Sequence, residues 1–111
     1  MNDSVDLTNL REMIGNDREL EQELFEEYIS SSSLLIDELR AYSEKDSDSE
    51  FWKKSAHALK GITQNLGAND LSELCKKAQE GFMLAREDKS KLVTAIEAEN
   101  KKVLEYLETL S

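Results

Sequence analysis

Residues 47–70 read SDSEFWKKSAHALKGITQNLGAND. Trp52, Ala56, Leu59, Thr63 and Leu66 recur at steps of four and three, the period of one buried helix face. Ser47-Asp48-Ser49-Glu50 has the form of a capping box at the start of that helix. Gly67 suits the left-handed residue that stops it, and Asn69 or Asp70 then caps the next one. Both ends of a helix are therefore written into this stretch. With Leu59 at zero on the helical wheel, the stripe falls within about 60°, while His57 lies about 160° away. Lys60, Lys53, Gln64 and Gly61 lie at about 100°, 120°, 140° and 200° on the same wheel. The only histidine of the chain is predicted to stand on the open face of its helix.

Working outward, the same grammar recurs. Leu7, Leu10 and Ile14 predict a short first helix that ends near Gly15. Asn16-Asp17-Arg18-Glu19 reads as another capping box, with Asn16 as the cap. The helix after it carries Leu24, Tyr28, Ser31, Leu35, Leu39 and Tyr42 as its buried stripe, to about residue 44. Downstream, Leu71, Leu74, Cys75, Ala78 and Phe82 form one inward face. After Arg86-Glu87-Asp88, Leu92, Ile96, Val103 and Leu107 form another, with Val93 and Leu110 alongside. There is no proline, and no run alternates with period two. The expected fold is all-α: an antiparallel four-helix bundle with a short N-terminal capping helix, one domain over residues 1–111.

Composition narrows the function. The chain has 111 residues, a formal net charge of −10 and a pI near 4.6. Such a surface repels phosphate backbones and anionic lipid, so nucleic acid and membrane are not expected partners. No apolar run reaches the ~18 residues of a membrane span, and the first residues lack a secretory signal pattern. One cysteine, Cys75, allows no intrachain disulfide and fits a reducing cytoplasm. It reads as a small buried residue, and Trp52 as a core anchor. With one histidine and one cysteine, no metal site of the usual His or Cys type is expected.

Charge is not evenly spread. From Phe51 to Asn69 there is no Asp or Glu, although the chain holds 24 acids in 111 residues. At that density about four would be expected in such a stretch. Lys53, Lys54 and Lys60 lie within it, so an acidic protein keeps a basic surface around its one imidazole. That suits an anion or an acidic docking pocket. No acid lies within a turn to orient the ring, and no Gly-rich phosphate loop is present. Autonomous catalysis and ATP binding by those routes are thereby unsupported.

The segment AHALKGITQNLGANDLSELCKKAQ resembles the signature of histidine phosphotransfer (HPt) domains of two-component phosphorelays. His57, Leu59, Lys60, Gly61, Thr63, Leu66, Gly67 and Ala68 fit it, while Ile62 stands where the family prefers a small residue. The resemblance implies that His57 accepts a phosphoryl group from the aspartate of a response-regulator receiver domain, through Nε2, and can return it. It implies a phosphocarrier and not an enzyme, without a cofactor of its own, with Mg²⁺ on the receiver. A sensor or hybrid histidine kinase would stand upstream, and the domain is expected to be monomeric and cytoplasmic. A helical adaptor without phosphate chemistry is the alternative.

Under that resemblance the neighbours take roles. Lys60 offsets phosphoryl charge, and Gly61 clears the partner's approach, which accounts for a mid-helix glycine that costs about 1 kcal/mol against alanine. Gln64 either bonds the phosphate or receiver or is solvated. Gln79 is carried over from relatives in which a glutamine bonds the accepting ring. Lys53 and Lys54 are docking residues, and Ile29 and Ile36, flanking the α-helical stripe through Leu35, are the apolar ones. The run Ser30-Ser31-Ser32-Ser33 either lets a neighbour approach closely or marks a flexible break.

Overall fold

The computed structural model describes residues 4–110, so the outermost residues of the expected 1–111 unit lie outside it. Among the described residues are α1 (Thr8–Met13), α2 (Arg18–Tyr42), α3 (Ser49–Leu66), α4 (Asn69–Glu80) and α5 (Arg86–Glu108), and no strand. A single 3-10 turn, Asp46–Asp48, leads into α3. None of these helices is long and apolar enough to cross a membrane.

The long helices close into a ring: α2 packs on α3, α3 on α4, α4 on α5, and α5 returns to α2. Cross-contacts fix their directions. Tyr42 stacks on Phe51 at 5.5 Å while the Ser55 hydroxyl donates to Glu38, so α2 and α3 are antiparallel. Tyr28 meets Asn100 and Arg40 meets Ser90, which sets α2 antiparallel to α5. The fold is the all-α antiparallel bundle with a short leading helix.

The axis of the bundle is filled as the α3 stripe predicts. Trp52 is 0% exposed, and its indole N–H donates to the Ala78 carbonyl at 2.8 Å. Leu59, Leu71, Cys75, Val93, Ile96 and Val103 belong to the same core, all fully buried. Truncating an aromatic so placed costs about 3–5 kcal/mol. Burial pushes the Cys75 thiol up to about 12, so the group stays protonated and inert at neutral pH.

Several local expectations are corrected. The cap of α2 is Asp17, whose carboxylate accepts from the Leu20 N–H at 3.1 Å, and not Asn16. Gly15 and Asn16 both have positive φ, 63° and 59°, so Asn16 serves as a left-handed turn residue, a role asparagine tolerates. The Ser47 capping box is replaced by the 3-10 turn, and Ser49 donates to the Asp46 carbonyl. Neither Asn69 nor Asp70 caps α4, which starts after Ala68 without a side-chain cap.

The buried line of α2 is also rotated from expectation. It runs through Phe25, Tyr28, Ser32, Ile36 and Leu39, while Leu24, Ser31, Leu35 and Tyr42 are only half-buried. Both lines carry large apolar side chains, and the buried one includes a serine that meets α5 through a polar contact. Ser32 accepts from the Asn100 amide at 3.3 Å, and Asn100 Oδ1 accepts from the Tyr28 hydroxyl at 2.6 Å. The helix is unbroken through the serines, so they mark no break, and Ser32 alone of the four is buried, against Asn100.

The Gly67 cap is present, with φ 94°, and the Ala68 N–H reaches back to the Thr63 carbonyl. It has a second cause. The Asp6 N–H donates to the Gly67 carbonyl at 2.9 Å, and a Cβ on Gly67 would collide with the Asp6 carbonyl oxygen. Flanked by buried Val5 and Leu7, the leading segment is thereby tied to the end of α3.

Candidate functional site

His57 sits midway along α3, on the side opposite Trp52, Leu59 and Leu66. Its side chain is exposed, and neither ring nitrogen has a hydrogen-bond partner among the described residues. The backbone beneath it is held by four fully buried residues, Trp52, Ala56, Leu59 and Thr63. The Thr63 hydroxyl is spent on the Leu59 and Lys60 carbonyls, both at 2.9 Å. A rigid helix thus presents a free imidazole to solvent.

Gly61, one turn on, opens the same face. A Cβ built there would meet no heavy atom within 4 Å, so packing against a neighbouring helix does not explain the glycine. Lys54 and Gln64 are exposed and Lys60 is half-buried. Neither Lys54 nor Lys60 has a carboxylate within ion-pair distance among the described residues. Lys53 is half-buried and differently engaged, with Nζ 4.5 Å from the Phe82 ring centroid. A cation–π contact of this kind is worth about 0.5–1 kcal/mol and fixes Lys53 towards the α4–α5 turn.

Gln79 lies half-buried on α4, beside the Ala78 carbonyl that takes the Trp52 indole. The expected hydrogen bond from Gln79 to His57 is not formed. An amide with access to water is satisfied there, so nothing forces that bond in the free domain.

The apolar docking residues are relocated. Ile36 is 6% exposed and belongs to the core, because the α2 face is rotated as described, and it offers no surface. Ile29 is 42% exposed, but on the wheel it shares a side with Gln22, which bonds to Leu110 just past α5, and Arg40, which bonds to Ser90 on α5. The side of α2 that faces α3 carries Leu24, Ser31, Leu34 and Leu35. Leu34 is 61% exposed, and the reading of the sequence missed it.

Between α2 and α3 a cleft of about 170 Å³ opens, floored by Leu10, Leu24, Ile62 and Leu66 and edged by Glu27, Ser31 and Asn65. Ile62, where the signature prefers a small residue, forms one wall. A second cleft, near 640 Å³, lies where α1 and α2 meet the end of α5, and its Arg11 is already paired with Glu21 at 2.7 Å. Among the described residues no group of three His, Cys, Asp or Glu is placed to hold a metal ion.

Chemically, the α3 face offers one unhindered nucleophile, nearby cations and no general base. Nothing among curated proteins or solved structures matches the chain. The family described as the Hpt domain matches residues 23–110, most of α2 and all of α3, α4 and α5, with His57 inside the match. By this match and by its helical bundle, the chain belongs to the Hpt domain family.

Proposed function

We propose that the chain is a histidine phosphocarrier in which His57 exchanges a phosphoryl group with the aspartate of response-regulator receiver domains. Hpt domains are phosphotransfer carriers of two-component systems. The observation that carries the reading to His57 is its state: the only imidazole in the chain is exposed, unbonded and backed by fully buried residues.

In the transfer step a ring nitrogen, Nε2, attacks phosphorus, and the P–O bond to the aspartyl carboxylate breaks. The carboxylate leaves with the bonding pair, and the ring sheds its remaining N–H proton to water as needed to relieve its charge. Mg²⁺ belongs to the receiver. Lys60 offsets phosphoryl charge from one turn away, Gln64 bonds the phosphoryl group or the receiver, and Gly61 admits the partner. Lys53 and Lys54 attract the receiver's acidic pocket. Gln79 orients the ring by a change of rotamer on docking. The whole chain works as one unit, monomeric and cytoplasmic, with a sensor or hybrid histidine kinase as the source of phosphate.

The test is direct. Receiver domains loaded with radiolabelled phosphate are mixed with the chain, and the expected product is acid-labile label on His57. If no receiver delivers label, or if His57→Gln is labelled as well as the wild type, the proposal fails. Tight binding to a receiver without transfer points instead to an adaptor.

A further inference from the structure

The cleft of about 640 Å³ where α1 and α2 meet the end of α5 has no α3 residue in its lining, so it stands apart from the face that carries His57. Residues 1–44 hold twelve acidic side chains and three basic ones, Arg11, Arg18 and Arg40. Arg40 is engaged across the bundle by Ser90, Thr94 and Glu97. The other two both line this cleft. Arg18, Glu21 and Gln22 share one side of α2 at spacings of three and four, with Cβ atoms about 5–6 Å apart. A pair between Arg18 and Glu21 is the local expectation, yet Glu21 turns to α1 and accepts from Arg11 Nε at 2.7 Å. Arg18 is thereby left exposed, with no carboxylate within ion-pair distance among the described residues. Arg11 has committed only Nε, and both its Nη groups lack a partner there. Glu21 is 9% exposed, and its second oxygen, Oε2, has no hydrogen-bond partner among the described residues. No fully buried side-chain oxygen there is unpaired, so Oε2 is open to solvent, on the cleft that its side chain lines. The Gln22 amide donates to the Leu110 carbonyl at 3.4 Å and closes the α5 side.

From this arrangement we infer that the cleft binds a small organic carboxylate that carries a hydrogen-bond donor, a hydroxyl or an ammonium, on the neighbouring carbon. The Arg18 guanidinium offers a planar fork that matches a carboxylate, and Arg11 adds an Nη donor beside it. The ligand's own donor bonds Glu21 Oε2. A simple anion meets that carboxylate as a repulsion, whereas a ligand with an adjacent donor uses it for recognition. A cleft of this size holds a metabolite-sized molecule. Once bound, the ligand adds a second link between α1 and α2 to the Arg11–Glu21 pair. The inference goes beyond the phosphocarrier reading and does not depend on it.

The experiment uses the full chain with isotope-labelled arginine. The side-chain Nε–H signals are followed by NMR while lactate, alanine, acetate or inorganic phosphate is added at neutral pH and constant ionic strength. With lactate or alanine the Arg11 and Arg18 signals are expected to shift saturably, half-saturating below about 10 mM, while those of Arg40 and Arg86 stay in place. The tighter of the two probes tells a hydroxy acid from an amino acid. Acetate has no neighbouring donor and is expected to bind about tenfold more weakly. Arg18→Gln should weaken binding about tenfold, whereas Arg86→Gln, at the opposite end of the bundle, removes the same charge and should leave it unchanged. Circular dichroism melts show whether each variant is folded. If neither lactate nor alanine moves the Arg18 signal in that range, or if folded Arg18→Gln binds as well as the wild type, the site is overturned. Acetate or phosphate binding as tightly as both other probes overturns the ligand class, because Glu21 then plays no part in recognition.

Discussion

The Tyr28 hydroxyl donates a 2.6 Å hydrogen bond to Asn100 Oδ1 inside the bundle, tying the middle of α2 to α5. Asn100 passes the link on to Ser32, and no buried side-chain nitrogen or oxygen among the described residues is left unpaired. Such a network is strong when complete and costly when broken. Asn100→Ala is expected to lower stability by about 2 kcal/mol, since the Tyr28 hydroxyl then loses its acceptor. Urea denaturation measures this, and an unchanged midpoint would falsify the role.

The two α3 glycines should behave oppositely. Gly67→Ala faces both a positive φ and the Asp6 carbonyl, so it is expected to cost about 2 kcal/mol or more. Gly61→Ala sits in a regular helix with open space around it and should gain up to about 1 kcal/mol. A bulky, charged Gly61→Glu should keep the fold and slow transfer from a receiver. Thermal melts and transfer assays on the same samples separate the effects.

Alkaline pH should unfold the protein through Cys75 and Tyr28. Burial raises both groups, Cys75 from 9.0 to about 12. Above the unfolded thiol value the unfolded chain binds fewer protons than the native one, so stability falls as pH rises, by up to about 1.4 kcal/mol per pH unit for each group. Cys75→Ala should flatten this slope between pH 9 and about 12. An unaltered slope would show that the thiol titrates freely in the native state.

Lys89 makes the opposite contribution. It is 1% exposed, with Nζ donating to Ser49 Oγ at 3.2 Å and 5.3 Å from the Trp52 ring centroid. Burial pulls its pKa below the ordinary lysine value. The native state therefore gains stability as pH rises through the interval from that lowered value up to 10.5. Lys89→Met is expected to be more stable than the wild type at neutral pH, by about 1 kcal/mol. The difference should close as the medium becomes alkaline, and a difference independent of pH would contradict it.

How much of this could be read beforehand differs from helix to helix. α3 was legible because its stripe, its Gly67 stop and its lack of acids all agree. On α5 the sequence reading passed over position 100, yet Lys89, Val93, Ile96, Asn100, Val103 and Leu107 continue one regular line of fours and threes. Counting only apolar residues hid Lys89 and Asn100, whose burial depends on partners from other helices. On α2 two lines about 100° apart, one through Leu24, Ser31, Leu35 and Tyr42 and one through Phe25, Ser32, Ile36 and Leu39, are equally apolar, so periodicity alone does not choose between them. The surroundings of His57 were legible as charge. The cleft was not, because it requires the register of two helices.

Anchoring His57 in mid-helix has a kinetic consequence for the proposed relay. The ring can rotate about its own bonds, but its attachment point has no hinge or loop to swing it. In that relay the partner must bring its own reactive group to the ring in the right alignment. In that sense the direction of approach was chosen when the chain folded.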